Sequence, residues 1–248
     1  MDYTIIIYVL FGILPSLMWL FYYLRKDLHP EPKRMILSIF LWGALITLPV
    51  FFIQIGLKTL LDQFQLSLIV FEIIYWFLII SLSEEFFKYL VVKLKVMGNA
   101  CLDEPLDIML YMVVAALGFT AIENILYLFA PGANMSFDEL ISRTLIISLI
   151  RFVGATFLHT LCSAVIGYAI AISCMDQKNR LIEVGFGATV AVALHGLYDF
   201  SIMTLQGPVR FIIPAVILIT LAYFVFTGFE RLKKIKSITK LNIETNKQ

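Results

Sequence analysis

Long apolar segments separated by short polar loops run along most of this chain. Segments long enough to cross a hydrocarbon core of about 30 Å occupy residues 4–24, 35–57, 70–94, 106–129, 140–174, 182–204 and 211–229. The pattern predicts an all-α, polytopic transmembrane helical bundle with about seven spans. Residues 140–174 are too long for one simple crossing, because about 35 residues rising 1.5 Å each exceed 50 Å. We therefore expect a break near Gly154, which would give an eighth helix.

Local signals mark where several of these helices begin. Glu104-Pro105 opens the fourth segment, where proline is tolerated in the first helical turn. Ser136 and Glu139 have the spacing of a capping box for the fifth segment. The first segment has neither a basic leader nor a small-residue cleavage site, so we expect it to be retained as a span.

Composition supports a membrane location. Hydrophobic residues make up 60% of the chain and charged residues 15%, with a mean hydropathy of +0.91, which is outside the range of soluble domains. The formal net charge is +1, and no basic patch with interleaved aromatic residues predicts a nucleic-acid partner. Cys101, Cys162 and Cys174 have no paired spacing, so neither a disulfide framework nor a zinc-thiolate site is expected.

The distribution of lysine and arginine among the loops predicts the orientation. If the segments alternate, one side of the membrane receives only Lys58, Arg143 and Arg210. The other side receives the larger set, which is Arg25, Lys26, Lys33, Arg34, Lys93, Lys95, Lys178, Arg180, Arg231, Lys233, Lys234, Lys236, Lys240 and Lys247. We expect a multi-pass protein of the cell membrane with its N-terminus outside and its C-terminus in the cytoplasm. It would form one membrane-embedded domain over residues 1–248, with a basic cytoplasmic tail at 230–248 that contacts the lipid bilayer.

The third segment carries three charges close together. Glu84, Glu85 and Lys88 follow the apolar run 76–80 and precede the run 89–92. A charged side chain at a helix centre costs about 2.5–3.5 kcal/mol on insertion scales, so these three cannot all face lipid. On a helix Lys88 lies one turn beyond both glutamates, so it can pair with one carboxylate and leave the other free.

Three further segments contain polar groups. The fourth carries Glu123 and Asn124, the fifth carries Arg151 and His159, and the sixth carries His195 and Asp199 at i and i+4. Each of these, taken alone, has a structural explanation as helix–helix contact or as a snorkelling side chain. Drawn together from four consecutive segments, they are stable only if they converge on one polar cavity. Glu84 reaches the depth of the others only if its helix begins near Phe71.

Such a cavity suits hydrolytic chemistry. A carboxylate can activate water as a general base while an imidazole or an amide stabilises the oxyanion of an attacked carbonyl. The chain has neither a G-x-S-x-G nor an H-E-x-x-H motif. Since His159 and His195 with Glu84, Glu123 or Asp199 also supply enough ligands for zinc, the residues leave both a metal-dependent and a metal-free mechanism open.

These motifs resemble those of the PrsW family of membrane-embedded proteases, a branch of the group that includes CAAX prenyl endopeptidases and bacteriocin-processing enzymes. The family pattern E-E-x-x-K matches residues 84–88, and F-x-x-x-E-N matches residues 119–124. An isolated histidine matches His159, and H-x-x-x-D matches residues 195–199. Four motifs in order over about 115 residues make the resemblance specific.

The resemblance implies an endopeptidase that makes the first cut in a membrane-anchored anti-sigma factor during a stress response. It implies Glu84 or Glu85 as the base, His159 and His195 as groups that position water or the oxyanion, and Asp199 as the group that orients His195. Glu123 and Asn124 would complete the catalytic set, with Lys88 and Arg151 in support. The prenyl-protease branch carries histidine where this chain has Glu123, so no cofactor is firmly implied and we favour glutamate-activated water.

Three other functions fit parts of the pattern. A prenyl-protein endopeptidase is the nearest enzymatic alternative, and a site open to the cytoplasm would favour it. An ion- or proton-coupled transporter also places acids and histidines at depth, but the sequence shows neither the inverted repeats nor the broken helices expected of one. A non-catalytic, substrate-binding scaffold is the third alternative.

Overall fold

The computed structural model describes residues 3–26, 30–97, 104–129, 136–174 and 179–235. Helices account for most of these residues and no strand occurs among them, which confirms the predicted all-α bundle. The elements are α1 (Tyr3–Leu24), α2 (Lys33–Asp62), α3 (Leu68–Ile73), a π-helix (Ile74–Ser81), α4 (Leu82–Lys95), α5 (Pro105–Leu128), α6 (Phe137–Val153), α7 (Ala155–Ser173), α8 (Arg180–Thr204) and α9 (Val209–Leu232). Cys101, Lys178 and residues 236–248 of the predicted tail lie outside the described residues.

Six stretches of helix in the described chain are long and apolar enough to cross a membrane, and they coincide with six of the seven predicted segments. The remaining segment, 70–94, corresponds to α3, the π-helix and α4, which follow one another without a break from Leu68 to Lys95. The helix begins at Leu68, after the extended backbone of Ser67, and not near Phe71. The condition set for Glu84 to reach the depth of the other polar groups was therefore wrong, because Glu84 still lies beside His159 and His195. A π-helix winds more residues into each turn and so advances less per residue. The intervening π-helix therefore shortens the path from Leu68 to Glu84.

The predicted break in the long fifth segment is confirmed at Gly154. This residue separates α6 from α7 with a ψ of −95°, outside the helical range. A Cβ atom here would lie 2.5 Å from the hydroxyl oxygen of Tyr198 on α8. The capping box predicted for α6 is also present, since Ser136 accepts from the backbone N–H of Glu139 and the Glu139 carboxylate accepts from the backbone N–H of Ser136.

Helix α5 forms the centre of the bundle. In its most apolar 18-residue window 94% of the residues are buried, whereas the corresponding windows of α1, α2, α8 and α9 are 22–28% buried. Its main neighbours are α1, α2 and α7. Close approach to α2 requires glycine, because a Cβ atom at Gly118 would collide with the carbonyl oxygen of Phe40. Helices α4, α7 and α8 thus assemble their polar residues around the end of α5 that carries Glu123.

Candidate active site

Lys88 lies at the centre of the polar cluster. Its side chain is fully buried, and its Nζ atom lies 2.9 Å from Glu85 Oε1 and 3.4 Å from Glu84 Oε2. It also lies 2.5 Å from His159 Nδ1, and 4.6 Å from the centre of the Phe119 ring. Lys88 therefore contacts both carboxylates, whereas the spacing suggested that one of them would be left free. A fully buried ammonium is stable only with such partners.

Glu85 is fully buried, and both of its carboxylate oxygens are hydrogen-bonded. Oε1 accepts from Lys88 and lies 3.0 Å from His195 Nδ1, while Oε2 accepts from the Ser163 hydroxyl at 2.8 Å. Its position is thus fixed from α4, α7 and α8 at once. Ser163 has no signal in the sequence, because a single hydroxyl in an apolar segment is too common to predict a site.

Glu84 is the acid of the pair that lines the polar cavity, whereas Glu85 borders a smaller, almost entirely apolar one of about 210 Å³. Its Oε1 atom accepts from the Gln54 amide at 3.2 Å. Its Oε2 atom lies 3.6 Å from His159 Nδ1 and 3.9 Å from His195 Nε2, so it stands between the two imidazoles. Gln54 was not among the predicted site residues. It is the one amide side chain in the apolar segment 35–57, and an intramembrane amide is a usable signal.

The two histidines lie edge to face, with ring centroids 4.7 Å apart. His159 Nε2 is 3.0 Å from Glu123 Oε2, and His195 Nε2 is 3.3 Å from Asp199 Oδ2. An ammonium group can only donate, so His159 Nδ1 accepts from Lys88 and the ring proton of the neutral imidazole is on Nε2, which faces Glu123. The contacts of Lys88 thereby fix the tautomer of His159.

Arg151 neutralises Glu123 at the edge of the cluster. Arg151 Nη2 lies 3.0 Å from Glu123 Oε2, and the guanidinium lies 3.9 Å from the centre of the Tyr127 ring. Arg151 belongs to α6 and His159 to α7, so the two sides of the Gly154 break bring both side chains to one carboxylate.

Asn124 is buried beside this pair but does not line the cavity. Its Oδ1 atom accepts from Arg151 Nε, and its amide donates to the Gly12 carbonyl and to the Thr156 hydroxyl, each at 3.2 Å. These contacts join α5 to α1, α6 and α7. The arrangement places Asn124 behind Arg151, away from the space in which a substrate could react.

The cavity in front of Glu84 has a volume of about 320 Å³. Its polar lining residues are Glu84, Glu123, Arg151, His159 and Asp199, with Gln54 beside Glu84. The rest of the lining is mainly aromatic and aliphatic and includes Phe51, Tyr75, Trp76, Ile80, Leu126 and Tyr127. Such a combination of an apolar wall and a few converging polar groups is typical of a substrate site.

The fit between the π-helix and α8 positions His195. The Ser81 hydroxyl donates to the Val192 carbonyl at 2.5 Å. A Cβ atom at Gly196 would lie 2.9 Å from ring atoms of Phe77 and 3.0 Å from its Cα atom, so only glycine permits this approach. Gly196, the residue next to His195, therefore has to be small because it packs directly against Phe77.

Three side chains offer the ligand set of a catalytic zinc ion. One donor atom from each of Glu84, His159 and His195 lies within 4.8 Å of the other two. Two histidines and one glutamate are a known set for catalytic zinc, and tetrahedral ligands at 2.0–2.2 Å lie about 3.3–3.6 Å apart. Carboxylates on the second nitrogens of both histidines are the usual outer contacts of such ligands. The donors therefore fit zinc in type and approximate spacing, although His159 Nδ1 would have to exchange its contact with Lys88 for the metal.

Comparison with known proteins gives one consistent result. The model of the PrsW family, described as intramembrane metalloproteases, matches residues 31–228. Protease PrsW of Oceanobacillus iheyensis is 29% identical over 233 residues, which cover 93% of this chain and 97% of that protein. Protease PrsW of Clostridioides difficile is 31% identical over 198 residues, 78% of each chain, and that of Bacillus subtilis is 26% identical over 237 residues, 94% of this chain and 97% of the relative. No solved structure matches.

Proposed function

Because this chain belongs to the PrsW family of membrane-embedded proteases, we propose that it hydrolyses a peptide bond of a membrane-anchored protein with water activated by Glu84. The observation that carries the proposal is the unequal setting of the two adjacent acids. Both acids accept hydrogen bonds on both oxygens, but Glu85 is held by Lys88, His195 and Ser163 outside the polar cavity, whereas Glu84 lines that cavity. A general base must reach the water that it deprotonates, and Glu84 is the member of the pair that can do so.

The proposed reaction needs one proton to pass through Glu84. The carboxylate removes a proton from water as the water oxygen bonds to the carbonyl carbon, and the protonated acid then returns that proton to the leaving amine as the C–N bond breaks. His195 Nδ1 is held by Glu85, so its Nε2 atom is directed toward Glu84 and Asp199. His195 does not line the cavity, but its Nε2 atom lies beside two residues that do, Glu84 and Asp199. We assign this atom to the attacking water and the oxyanion, with Asp199 and Glu85 as the residues that position the ring.

His159, Glu123 and Arg151 form a supporting chain in this proposal. Both nitrogens of His159 already have partners, Lys88 and Glu123, so this histidine helps to hold Glu84 and to limit the space around the water. Arg151 balances the charge of Glu123, and Asn124 holds Arg151. In the zinc-dependent alternative, Glu84, His159 and His195 would hold the ion, and the bound zinc would polarise the substrate carbonyl in place of base catalysis by Glu84.

The substrate that we propose is a membrane-anchored anti-sigma factor, cut first by this protease so that later steps can release the sigma factor. Support comes from the four motifs and from the family to which the chain belongs. We further propose that the N-terminus lies outside and the C-terminus in the cytoplasm, because the larger set of loop lysines and arginines would then be cytoplasmic. Fusion of topology reporters to the loops tests this orientation directly.

The matched protease family decides against the transporter interpretation. Cleavage itself is tested by co-expression with a single-span substrate. Glu84→Gln and His195→Ala should each abolish the cut while the protein still inserts in the membrane. Glu230→Gln, which changes an exposed acid on α9, serves as the control and should cleave normally. Normal cleavage by both site variants would refute the assignment, and metal analysis with chelator challenge of active protein separates the zinc-dependent from the metal-free mechanism.

A further inference from the structure

A second cavity of about 520 Å³ lies outside the active site, between α7, α8 and α9. Its wall is almost entirely apolar and includes Val165, Tyr168, Phe186, Val190, Leu194 and Phe224. None of these residues lines the cavity in front of Glu84. We call this space the α7–α9 groove. Its lining runs from Glu183 to Leu194 on α8, about 16 Å at the rise of an α-helix. A mostly apolar groove of this extent suits a hydrocarbon chain.

Two opposite charges line one end of the α7–α9 groove. Glu183 lies in the first turn of α8 and Arg231 in the last turn of α9, next to the end of α7 at Ile172. Neither forms an ion pair with any described residue, and Glu183 Oε2 is buried without a hydrogen-bond partner in the same part of the chain. A buried carboxylate oxygen without a donor is costly, so it marks a place where a ligand can supply one.

We propose that the α7–α9 groove binds a phospholipid whose headgroup carries a primary ammonium, of the phosphatidylethanolamine type. One acyl chain lies in the groove, the phosphate contacts the Arg231 guanidinium, and the ammonium donates to Glu183. Arginine binds phosphate through paired N–H groups. The negative phosphate of the headgroup thus faces the positive Arg231, and its positive ammonium faces the negative Glu183.

The headgroup requirement distinguishes this site from ordinary lipid contact. Any lipid can place an acyl chain against an apolar wall. A phosphatidylcholine headgroup has no N–H group, so it leaves Glu183 Oε2 without a donor. A phosphatidylglycerol headgroup has no cation, so its phosphate would bind Arg231 next to an unpaired carboxylate. The phosphatidylethanolamine headgroup satisfies both side chains.

Native mass spectrometry of the purified full-length protein with lipids of identical acyl chains tests the proposal. We expect phosphatidylethanolamine to bind at least about tenfold more tightly than phosphatidylcholine, since one hydrogen bond to a charged group changes the affinity by about that factor. Glu183→Gln should reduce this preference to about twofold or less. Arg231→Gln should weaken both lipids, and Glu230→Gln, which lies beside Arg231 but outside the groove, should change neither.

A pair of adjacent substitutions tests the groove itself. Thr220→Phe places a ring in the groove and should reduce binding of all three lipids, whereas Ile219→Phe adds the same ring at a side chain that is 71% exposed and should have no effect. Equal binding of the three lipids by the unmodified protein would overturn the proposal. So would a preference that survives Glu183→Gln, or equal binding by Thr220→Phe and the unmodified protein.

Discussion

Replacing Lys88 by methionine removes the ammonium that two buried carboxylates share, while keeping a side chain of similar length. With an effective dielectric constant of 20, the attraction of Lys88 to Glu85 at 2.9 Å is about 6 kcal/mol, and to Glu84 at 3.4 Å about 5 kcal/mol. The free energy lost when these three charged groups leave water offsets much of this attraction. Removing one partner of a buried ion pair leaves the other charge uncompensated, which costs about 3–5 kcal/mol. We expect Lys88→Met to lower the free energy of unfolding by that amount.

Thermal unfolding of the purified protein in detergent measures this loss. For a chain of this size about 3–5 kcal/mol corresponds to a fall of roughly 6–20 °C in the midpoint. Lys93→Met is the matched control, because Lys93 lies on the same helix with an exposed side chain. An exposed substitution of this kind changes stability by about 0.5 kcal/mol or less.

The double variant Glu85→Gln/Lys88→Met separates charge compensation from simple loss of packing. It removes the carboxylate closest to the missing ammonium, so it should recover at least half of the lost stability. It should remain inactive, because His195 no longer has a carboxylate at Nδ1. Unfolding of Lys88→Met at the temperature of the unmodified protein would refute this reasoning, as would a double variant that is no more stable than the single one.

Two further predictions concern residues that support the site. Ser163→Ala removes the donor to Glu85 Oε2 and should lower kcat about tenfold with little change in KM. Ser163→Thr keeps the hydroxyl and should recover most of the rate. Equal rates for Ser163→Ala and the unmodified protein would count against the positioning role. Gly196→Ala forces α8 away from Phe77 and should reduce both the cleavage rate and the unfolding midpoint. Gly185→Ala on the same helix adds a methyl group in open space, so its cleavage rate and midpoint should be unchanged. Parallel behaviour of the two alanine variants would contradict the steric argument.

The sequence contained enough information to predict that the motifs meet. Helical spacing placed Lys88 beside the two glutamates and His195 beside Asp199, and the structure has both contacts. Intramembrane charge requires polar partners, so convergence followed from the physical cost of exposing these residues to lipid. The catalytic roles of the residues stay predictions.

Helical spacing alone did not predict which of the two glutamates faces the cavity. Glu84 and Glu85 both lie one turn from Lys88, so their assignment depends on how α4 is rotated relative to its neighbours. The preceding π-helix and its contact with α8 at Gly196 set that rotation, and neither has a clear signal in an apolar run. Asn124 shows the converse case, since its motif placed it in the site and its contacts place it behind Arg151.

The enclosure of α5 has a consequence for how the protein is made. The finished helix is shielded by its neighbours, yet its mean hydropathy of 1.8 is high enough for it to enter the bilayer by itself. In a two-stage view of membrane protein assembly, α5 would first be surrounded by lipid tails and later exchange them for protein. Its apolar residues would then promote insertion into the bilayer during synthesis, and its small residues would later allow the neighbouring helices to pack closely against it.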